Sequence, residues 1–384
     1  TVQGALDYNL PIVLGHECAG VVVDKGNEVS TLEVGDRVAL EPGIPCGECE
    51  YCKSGHYNLC RDVNFMAAPP FKSGAMSKYV KHPASWAFKL PENVSTVEGA
   101  LLEPLSVGMY AVKRANPQPA DTVTILGAGC IGLMTLLALK ARGIDNIIMM
   151  DLFENRLEKA KEMGAKYCIN SGKEDMAEAV MRLTGRQGTT YVFETAGNPV
   201  TTKAAAKIAK CGGKIVMVGQ VHQPVDYDFF EINSKEVDIL NVFRYANIYP
   251  MALESVNSGR IDVKQIVTDI YSWEEAQKAF KAAIDQGDAM KIAETDEAYH
   301  DVIYHSTRNK RLVQILNNLR EQMYRFRLEY IKDEDKRQIL QLEHEKILAA
   351  LRLRHMAEAK AVARGHIDNQ EITVLKNLKE RKEV

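Results

Sequence analysis

The stretch TVTILGAGCIGLMTLLALKARGIDNIIMMD, Thr122–Asp151, decides how the chain is read. Thr122–Leu126 is a short β-branched run that predicts a buried strand. Gly127, Gly129 and Gly132 follow as G-x-G-x-x-G, and Ile131–Ala141 predicts a helix. A second strand, Ile147–Met150, ends on Asp151. Gly127 permits a tight turn, and Gly129 lets the backbone approach a pyrophosphate. Gly132 allows helix and strand to pack closely, with Ile131 beside it in the turn. The pyrophosphate then sits on the helix N-terminus. Asp151 lies about 20 residues on, where a carboxylate accepts bonds from ribose hydroxyls. A carboxylate repels a 2′-phosphate, so NAD is expected over NADP, although Arg156 is placed to meet a phosphate. Taken alone, glycines in a turn need no ligand; strand, glycines, helix, strand and acid in this order do point to one.

Beyond Asp151, strands and helices alternate. Asn155–Met163, Glu174–Leu183 and Thr201–Ala209 are expected helices, and Tyr167–Ile169, Tyr191–Phe193, Ile215–Gly219 and Ile239–Phe243 expected strands. This alternation predicts an α/β Rossmann fold with a doubly wound parallel sheet. Ligands bind beyond the carboxyl ends of such strands. Thr195 in the Thr195-Ala196-Gly197 turn, with Val218 and Gly219, is therefore expected to flank the nicotinamide.

The 384 residues carry a net charge of −3 and are 46% hydrophobic. They suffice for two or three domains. No general attraction to nucleic acid or anionic membrane follows from this charge. No apolar run of about 18 residues spans a bilayer, and no signal peptide is evident. Of eight cysteines, Cys18, Cys130, Cys168 and Cys211 are scattered singly, which predicts a reducing, cytoplasmic setting. Cys46, Cys49, Cys52 and Cys60 are spaced C-x2-C-x2-C-x7-C. Four thiolates on one loop can close a tetrahedral zinc site with no open position, which is structural rather than catalytic.

Upstream, Ala19–Val23 and Arg37–Leu40 predict short strands of a small β-barrel. Gly15-His16-Glu17 precedes them, and His16 and Glu17 are possible metal ligands. A histidine and glutamate after a strand are ordinarily surface chemistry; they gain meaning only from the motifs around them. Glu103 follows Leu101-Leu102 and precedes Pro104. Two roles suit it: capping the next helix, or standing beside a metal, because a carboxylate among apolar residues is costly to bury unpaired.

As a set, GHECAG at 15–20, the four-cysteine loop, LEPLSVG at 102–108 and GAGCIG at 127–132 resemble the zinc-containing medium-chain dehydrogenases. Ala68-Pro69-Pro70 and Val242-Phe243-Arg244-Tyr245 are similar to the sorbitol and xylitol branch. The resemblance covers residues 1 to about 292. It implies a partial GroES-like catalytic barrel over 1–110, a Rossmann domain over 111–250 and a return segment over 251–292. It implies a zinc-dependent NAD oxidoreductase acting on a polyol or secondary alcohol. His16 and Glu17 are then catalytic zinc ligands, Glu103 approaches the zinc-bound water, and Phe65, Arg244 and Tyr245 line the polyol site. The edge strand Val237–Phe243 is expected to join a homo-oligomer, dimer or tetramer. The family's third ligand, a cysteine upstream of GHE, has no counterpart in these residues; Cys18 belongs to the HECAG segment and does not replace it. The chain is thus expected to lack the family's N-terminal segment, with activity impaired.

Composition changes near residue 293. From there to residue 384 the chain is rich in Leu, Arg, Glu, Lys and Ala, which form helices. Leu312, Ile315, Leu316, Leu319, Met323 and Phe326 share one helical face; Ile339–Arg354 and Met356–Asn369 are further helices. Asp296 and His300 are spaced i, i+4, and His344 and His366 come from the two later helices. Three imidazoles and a carboxylate suit Zn, Mn or Ni, although single helical histidines are ordinarily surface residues. Asp296 to His300, Asn309, Glu343-His344 and His366-Ile367 resemble the metal-binding, ligand-binding domain of GntR-type transcription regulators. That implies a pocket for a small carboxylate effector, truncated at its start. No helix-turn-helix precedes it, so no DNA binding is expected. Gln277–Glu294 fits both halves, which suggests a chimera joined at a locally similar stretch.

Overall fold

The structure, a computed structural model, describes residues 12–68, 73–222, 224–280, 311, 316 and 334–380. The chain divides into two compact units, 1–268 and 269–384. The expected junction near residue 293 lies outside the described residues, as does most of the apolar face from Leu312 to Phe326.

In the first unit, β1 (Cys18–Val21), β2 (Arg37–Leu40) and β5 (Ala87–Lys89) form an antiparallel sheet. A two-stranded ribbon, β3 (Gly43–Ile44) and β4 (Asn64–Phe65), brackets the cysteine loop. A six-stranded parallel sheet follows, ordered β11-β10-β9-β6-β7-β8. Its strands are β6 (Thr122–Leu126), β7 (Asn146–Asp151), β8 (Tyr167–Asn170), β9 (Thr189–Glu194), β10 (Ala209–Met217) and β11 (Asp238–Asn241). The chain runs outward from β6 to β8, then crosses to β9 on the other side of β6, so the order reverses between β6 and β9. The glycine turn follows β6, so it opens at the switch point, where α/β sheets leave a crevice.

Alternate strand residues point to opposite faces. Ile125, Ile147, Met149, Phe193 and Val216 pack in one core with helices Leu102–Ala115 and Cys130–Ala141. Leu126, Ile148, Met150, Val192 and Ile215 pack in the other with helices Met176–Leu183 and Pro199–Ile208. Helices Leu102–Ala115 and Cys130–Ala141 meet closely because Gly108 has no side chain. A Cβ there would stand 2.7 Å from the Met134 carbonyl carbon.

Some elements differ from the sequence reading. β10 begins at Ala209, because an irregular register between Ala209 and Lys214, at Gly212 and Gly213, still lets it pair. Helices Phe229–Lys235 and Tyr249–Asn257 add to the expected elements. The second buries Tyr249, Ala252 and Val256 on one side, with Pro250 in its first turn, where a missing N–H costs nothing. β11 is the edge strand, as expected for Val237–Phe243, but it ends at Asn241. In the second unit, helices Glu334–Arg352 and Met356–Glu380 pack on each other. No described helix is long and apolar enough to cross a membrane.

Candidate active site and metal centres

At the glycine turn, Gly127 adopts φ +104 and its N–H donates to the Met150 carbonyl oxygen at 2.8 Å. A Cβ on Gly132 would stand 1.9 Å from the Gly127 oxygen, so only glycine fits. Gly129 faces open space within 4 Å, where a pyrophosphate can approach. It caps the helix Cys130–Ala141, whose first N–H groups and dipole favour an anion. Ile131, half-buried, lies in that first turn.

Asp151 ends β7 at the crevice. Its Oδ2 accepts from the Ala128 N–H at 2.8 Å and its Oδ1 from the Phe153 N–H at 3.0 Å. It therefore braces the glycine turn. Arg156 approaches Asp151 to 3.7 Å and lies 4.9 Å over the Phe153 ring. Thr195 lies across the turn. Its hydroxyl donates to the Leu126 oxygen at 2.9 Å and to the Gly127 oxygen at 3.0 Å. Val218 and Gly219 follow β10, and both N–H groups donate to the main-chain oxygen of Glu194, at 2.9 and 2.8 Å.

A second cluster lies among the elements of the same unit. His16, Glu17 and Glu103 each offer one ligand atom, and the three atoms lie within 4.8 Å of one another. The donor set of one imidazole and two carboxylates suits zinc. Glu103 is in the first turn of helix Leu102–Ala115, yet that helix has no side-chain cap. Of the two roles open in the sequence, no capping bond is made, and the carboxylate is grouped with His16 and Glu17. Glu103 is only 5% exposed and accepts a hydrogen bond from the Tyr245 hydroxyl at 3.0 Å. Burial, then the charge of Glu17, raises its pKa to about 8. Burial raises Glu17 as well. Burial, then Arg244, lowers His16 and keeps the imidazole neutral, the form that ligates a metal. A bound cation would reverse the carboxylate shifts, because it favours their ionised forms.

Phe65 meets the His16 ring edge to face, with centroids 5.3 Å apart. Arg244 lies 4.5 Å over the Phe65 ring. Arg244 and Asn247 adopt left-handed backbone, φ 54 and 57, at a cost of roughly 1–2 kcal/mol each. The cysteine lobe holds that turn. Asn58 Nδ2 donates to the Phe243 oxygen at 2.9 Å, and the Asn247 N–H donates to the Tyr57 hydroxyl at 2.8 Å. Tyr57 in turn donates to the buried Glu41 at 2.8 Å. Glu41, Tyr57 and Asn58 were not singled out in the sequence. Only Glu41, an acid just after the apolar end of β2, left a local signal.

Cys46, Cys49, Cys52 and Cys60 also place one sulfur each within 4.8 Å of the others. The Cys46 Sγ receives the Cys49 N–H at 3.4 Å, and backbone N–H bonds lower its pKa to about 7. Four converging sulfurs fit a tetrahedral zinc, with the Cys46 pKa lowered and the Cys52 pKa raised, to about 12, in its absence. Among the described residues these are the two groups suited to a metal.

In the second unit, His344 and His366 come together with ring centroids 5.0 Å apart. His366 is 4% exposed, and its Nδ1 lies 2.8 Å from Glu343 Oε2. Asn369 Nδ2 donates to the other Glu343 oxygen at 2.6 Å. Glu343 thus orients one of the two imidazoles. Asp296 and His300 lie outside the described residues, as do Pro69 and Pro70.

Known proteins match these parts in the same order. A family model described as an alcohol dehydrogenase GroES-like domain matches residues 1–92. One described as a zinc-binding dehydrogenase matches 130–258, and one described as an FCD domain matches 266–369. An uncharacterized zinc-type alcohol dehydrogenase-like protein of Escherichia coli K12 is 49% identical over 278 residues, 72% of this chain and 80% of that protein. A sorbitol dehydrogenase of Bacillus subtilis is 45% identical, over 71% of this chain and 78% of that protein. A crystal structure of an Escherichia coli oxidoreductase of unknown specificity superposes with a TM-score of 0.71. It has 48% identity and covers 73% of this chain and 81% of that one. The chain belongs to the zinc-type medium-chain alcohol and polyol dehydrogenases, with an FCD domain, of the GntR ligand-binding kind, at its C-terminal end.

Proposed function

We propose that residues 1–268 oxidise a polyol or secondary alcohol to the ketone, with NAD as hydride acceptor. One observation carries this reading: His16, Glu17 and Glu103 converge, with Phe65, Arg244 and Tyr245 around them. His16 and Glu17 would hold zinc and Glu103 would stand beside it. When bound, zinc polarises the substrate hydroxyl and lowers its pKa. Glu103, kept in place by Tyr245, is positioned to take up or pass on the released proton. Arg244 offers donors to neighbouring hydroxyls, the Tyr245 oxygen can accept from one, and Phe65 shields the site from water. Thr195, Val218 and Gly219 receive the nicotinamide, while the glycine turn and Asp151 hold the rest of the cofactor. Asp151 supports NAD. Arg156, close enough to offset its charge, leaves room for some use of NADP.

Sorbitol dehydrogenase among the relatives supports a polyol substrate. The test is zinc content measured beside NADH formation with sorbitol, xylitol and threonine. Two zincs per catalytic unit, with turnover of a polyol and not of threonine, is the expected result. Loaded zinc with no turnover of any polyol overturns the reading.

The FCD domain supports a second reading for the tail. We propose that Asp296, His300, His344 and His366 hold Zn, Mn or Ni, and that the pocket above receives a small carboxylate. The pairing of His344 with the Glu343-bound His366 is the observation in its favour.

A further inference from the structure

Glu194 ends β9 and is fully buried. No cation among the described residues pairs with it. Its side chain is instead enclosed by donors. Oε1 accepts from the N–H groups of Ala196 at 3.1 Å and Gly197 at 3.0 Å, and from the Thr201 hydroxyl at 2.7 Å. Oε2 lies 3.2 Å from the same Gly197 nitrogen. Its main-chain oxygen accepts from Val218 and Gly219. Donors from three segments therefore converge on one residue.

The segments touch backbone to backbone. A Cβ on Gly219 would stand 2.3 Å from the Gly197 nitrogen and 2.6 Å from Glu194 Oε2. A Cβ on Gly197, at φ +65, would stand 2.9 Å from the Gln220 oxygen. Burial raises the Glu194 pKa, and the bonds from Thr201, Gly197 and Ala196 oppose it. An apolar side chain would fill this volume without the desolvation cost. What it could not do is fix the direction of two consecutive N–H groups.

We propose that Glu194 is a positioning residue for the nicotinamide half of the cofactor. Its carboxylate and carbonyl oxygen clamp segments 195–197 and 218–219 together, so that the ring is held at one depth and tilt. This rests on the reading that those segments receive the nicotinamide. Hydride transfer needs the reacting atoms about 3–3.5 Å apart, and displacement by about 1 Å costs on the order of 100-fold. The glycine turn has ties of its own, from the Gly127 N–H to the Met150 oxygen and from the Ala128 N–H to Asp151. The adenosine half therefore depends less on Glu194.

The test compares NADH with ADP-ribose, which lacks the nicotinamide, binding to the zinc-loaded full chain. Glu194→Met keeps the size and removes the acceptor. It should weaken NADH roughly 10- to 100-fold and leave ADP-ribose within about threefold. Glu194→Gln keeps an acceptor at the Oε1 position and should restore NADH affinity to within about threefold of the parent. Thr201→Val removes one donor and reads the same contrast, at about two- to fivefold, should the methionine variant not fold. Equal loss of both ligands in a folded variant, or no loss of either, overturns the assignment. A parent chain that binds ADP-ribose and not NADH overturns the underlying placement of the nicotinamide instead.

Discussion

The Tyr245 hydroxyl donates to Glu103 Oε1 at 3.0 Å, across 142 positions of sequence. The bond joins the turn after β11 to the first turn of helix Leu102–Ala115. Among the described residues it gives a buried carboxylate beside His16 its one hydrogen bond from a side chain. Tyr245→Phe leaves the ring packing in place and removes that bond. We expect kcat/KM to fall about 10- to 100-fold with zinc content unchanged; loss of zinc together with activity would show that the bond serves the metal site instead.

Glu103 also sets a pH dependence in the metal-free chain. Its pKa is about 8 in the fold and 4.5 in an unfolded chain. Below about 4.5 both states carry the proton and its contribution is complete. As pH rises toward 8, the unfolded chain releases a proton that the fold retains, so stability falls by up to about 1.4 kcal/mol per pH unit. Melting curves of metal-stripped protein between pH 5 and 9 should show this decline, and Glu103→Gln should make it shallower, with Glu41, raised to about 7 by burial, contributing the same sign. Equal slopes in the two proteins would place the titration elsewhere.

Gly129 and Gly132 separate binding from folding. Gly129→Ala places a methyl in open space, on backbone at φ −74 that alanine adopts readily. Its melting temperature should stay within about 2 °C of the parent, while NADH binds at least about 10-fold more weakly. Gly132→Ala forces a methyl against the Gly127 oxygen and should cost at least about 1–3 kcal/mol. Calorimetry beside a dinucleotide titration distinguishes them; identical behaviour of the two variants would refute the division.

The cysteine lobe reaches the active site through Tyr57 and Asn58, which hold the turn carrying Arg244. Cys52→Ser should remove one zinc per chain and, by loosening that turn, lower kcat/KM at least about 10-fold. Elemental analysis with kinetics reads both. Full activity with one zinc missing would uncouple the lobe from the site.

In the tail, Glu343→Gln keeps the shape and removes the charge beside His366. Affinity of the full chain for Zn, Mn or Ni, followed by calorimetry, should drop about 10- to 100-fold. No change would mean that His366 is a buried histidine with a structural partner.

The sequence by itself determined the Rossmann sheet, the glycine turn, the acid at Asp151 and the cysteine lobe. The glycine turn with Asp151 and the cysteine lobe each lie within about 30 consecutive residues, and the sheet is a series of strand–helix units of about that length or less, because period, turn geometry and ligand spacing are local properties. It also marked His16, Glu17 and Glu103 individually, through their neighbours. Only the tertiary structure brought those three to one point and set Tyr245 against Glu103. Only there did Asn58 and Tyr57 become the supports of the Arg244 turn. Helix Tyr249–Asn257 was missed for the same reason: its apolar side is short, and it is a helix because it packs on Leu102–Ala115. Glu194 looked like the end of a strand. Its role became visible when β10 paired beside β9 and brought Val218 and Gly219 to its carbonyl oxygen, since convergence of donors depends on chain crossing and not on order along the chain.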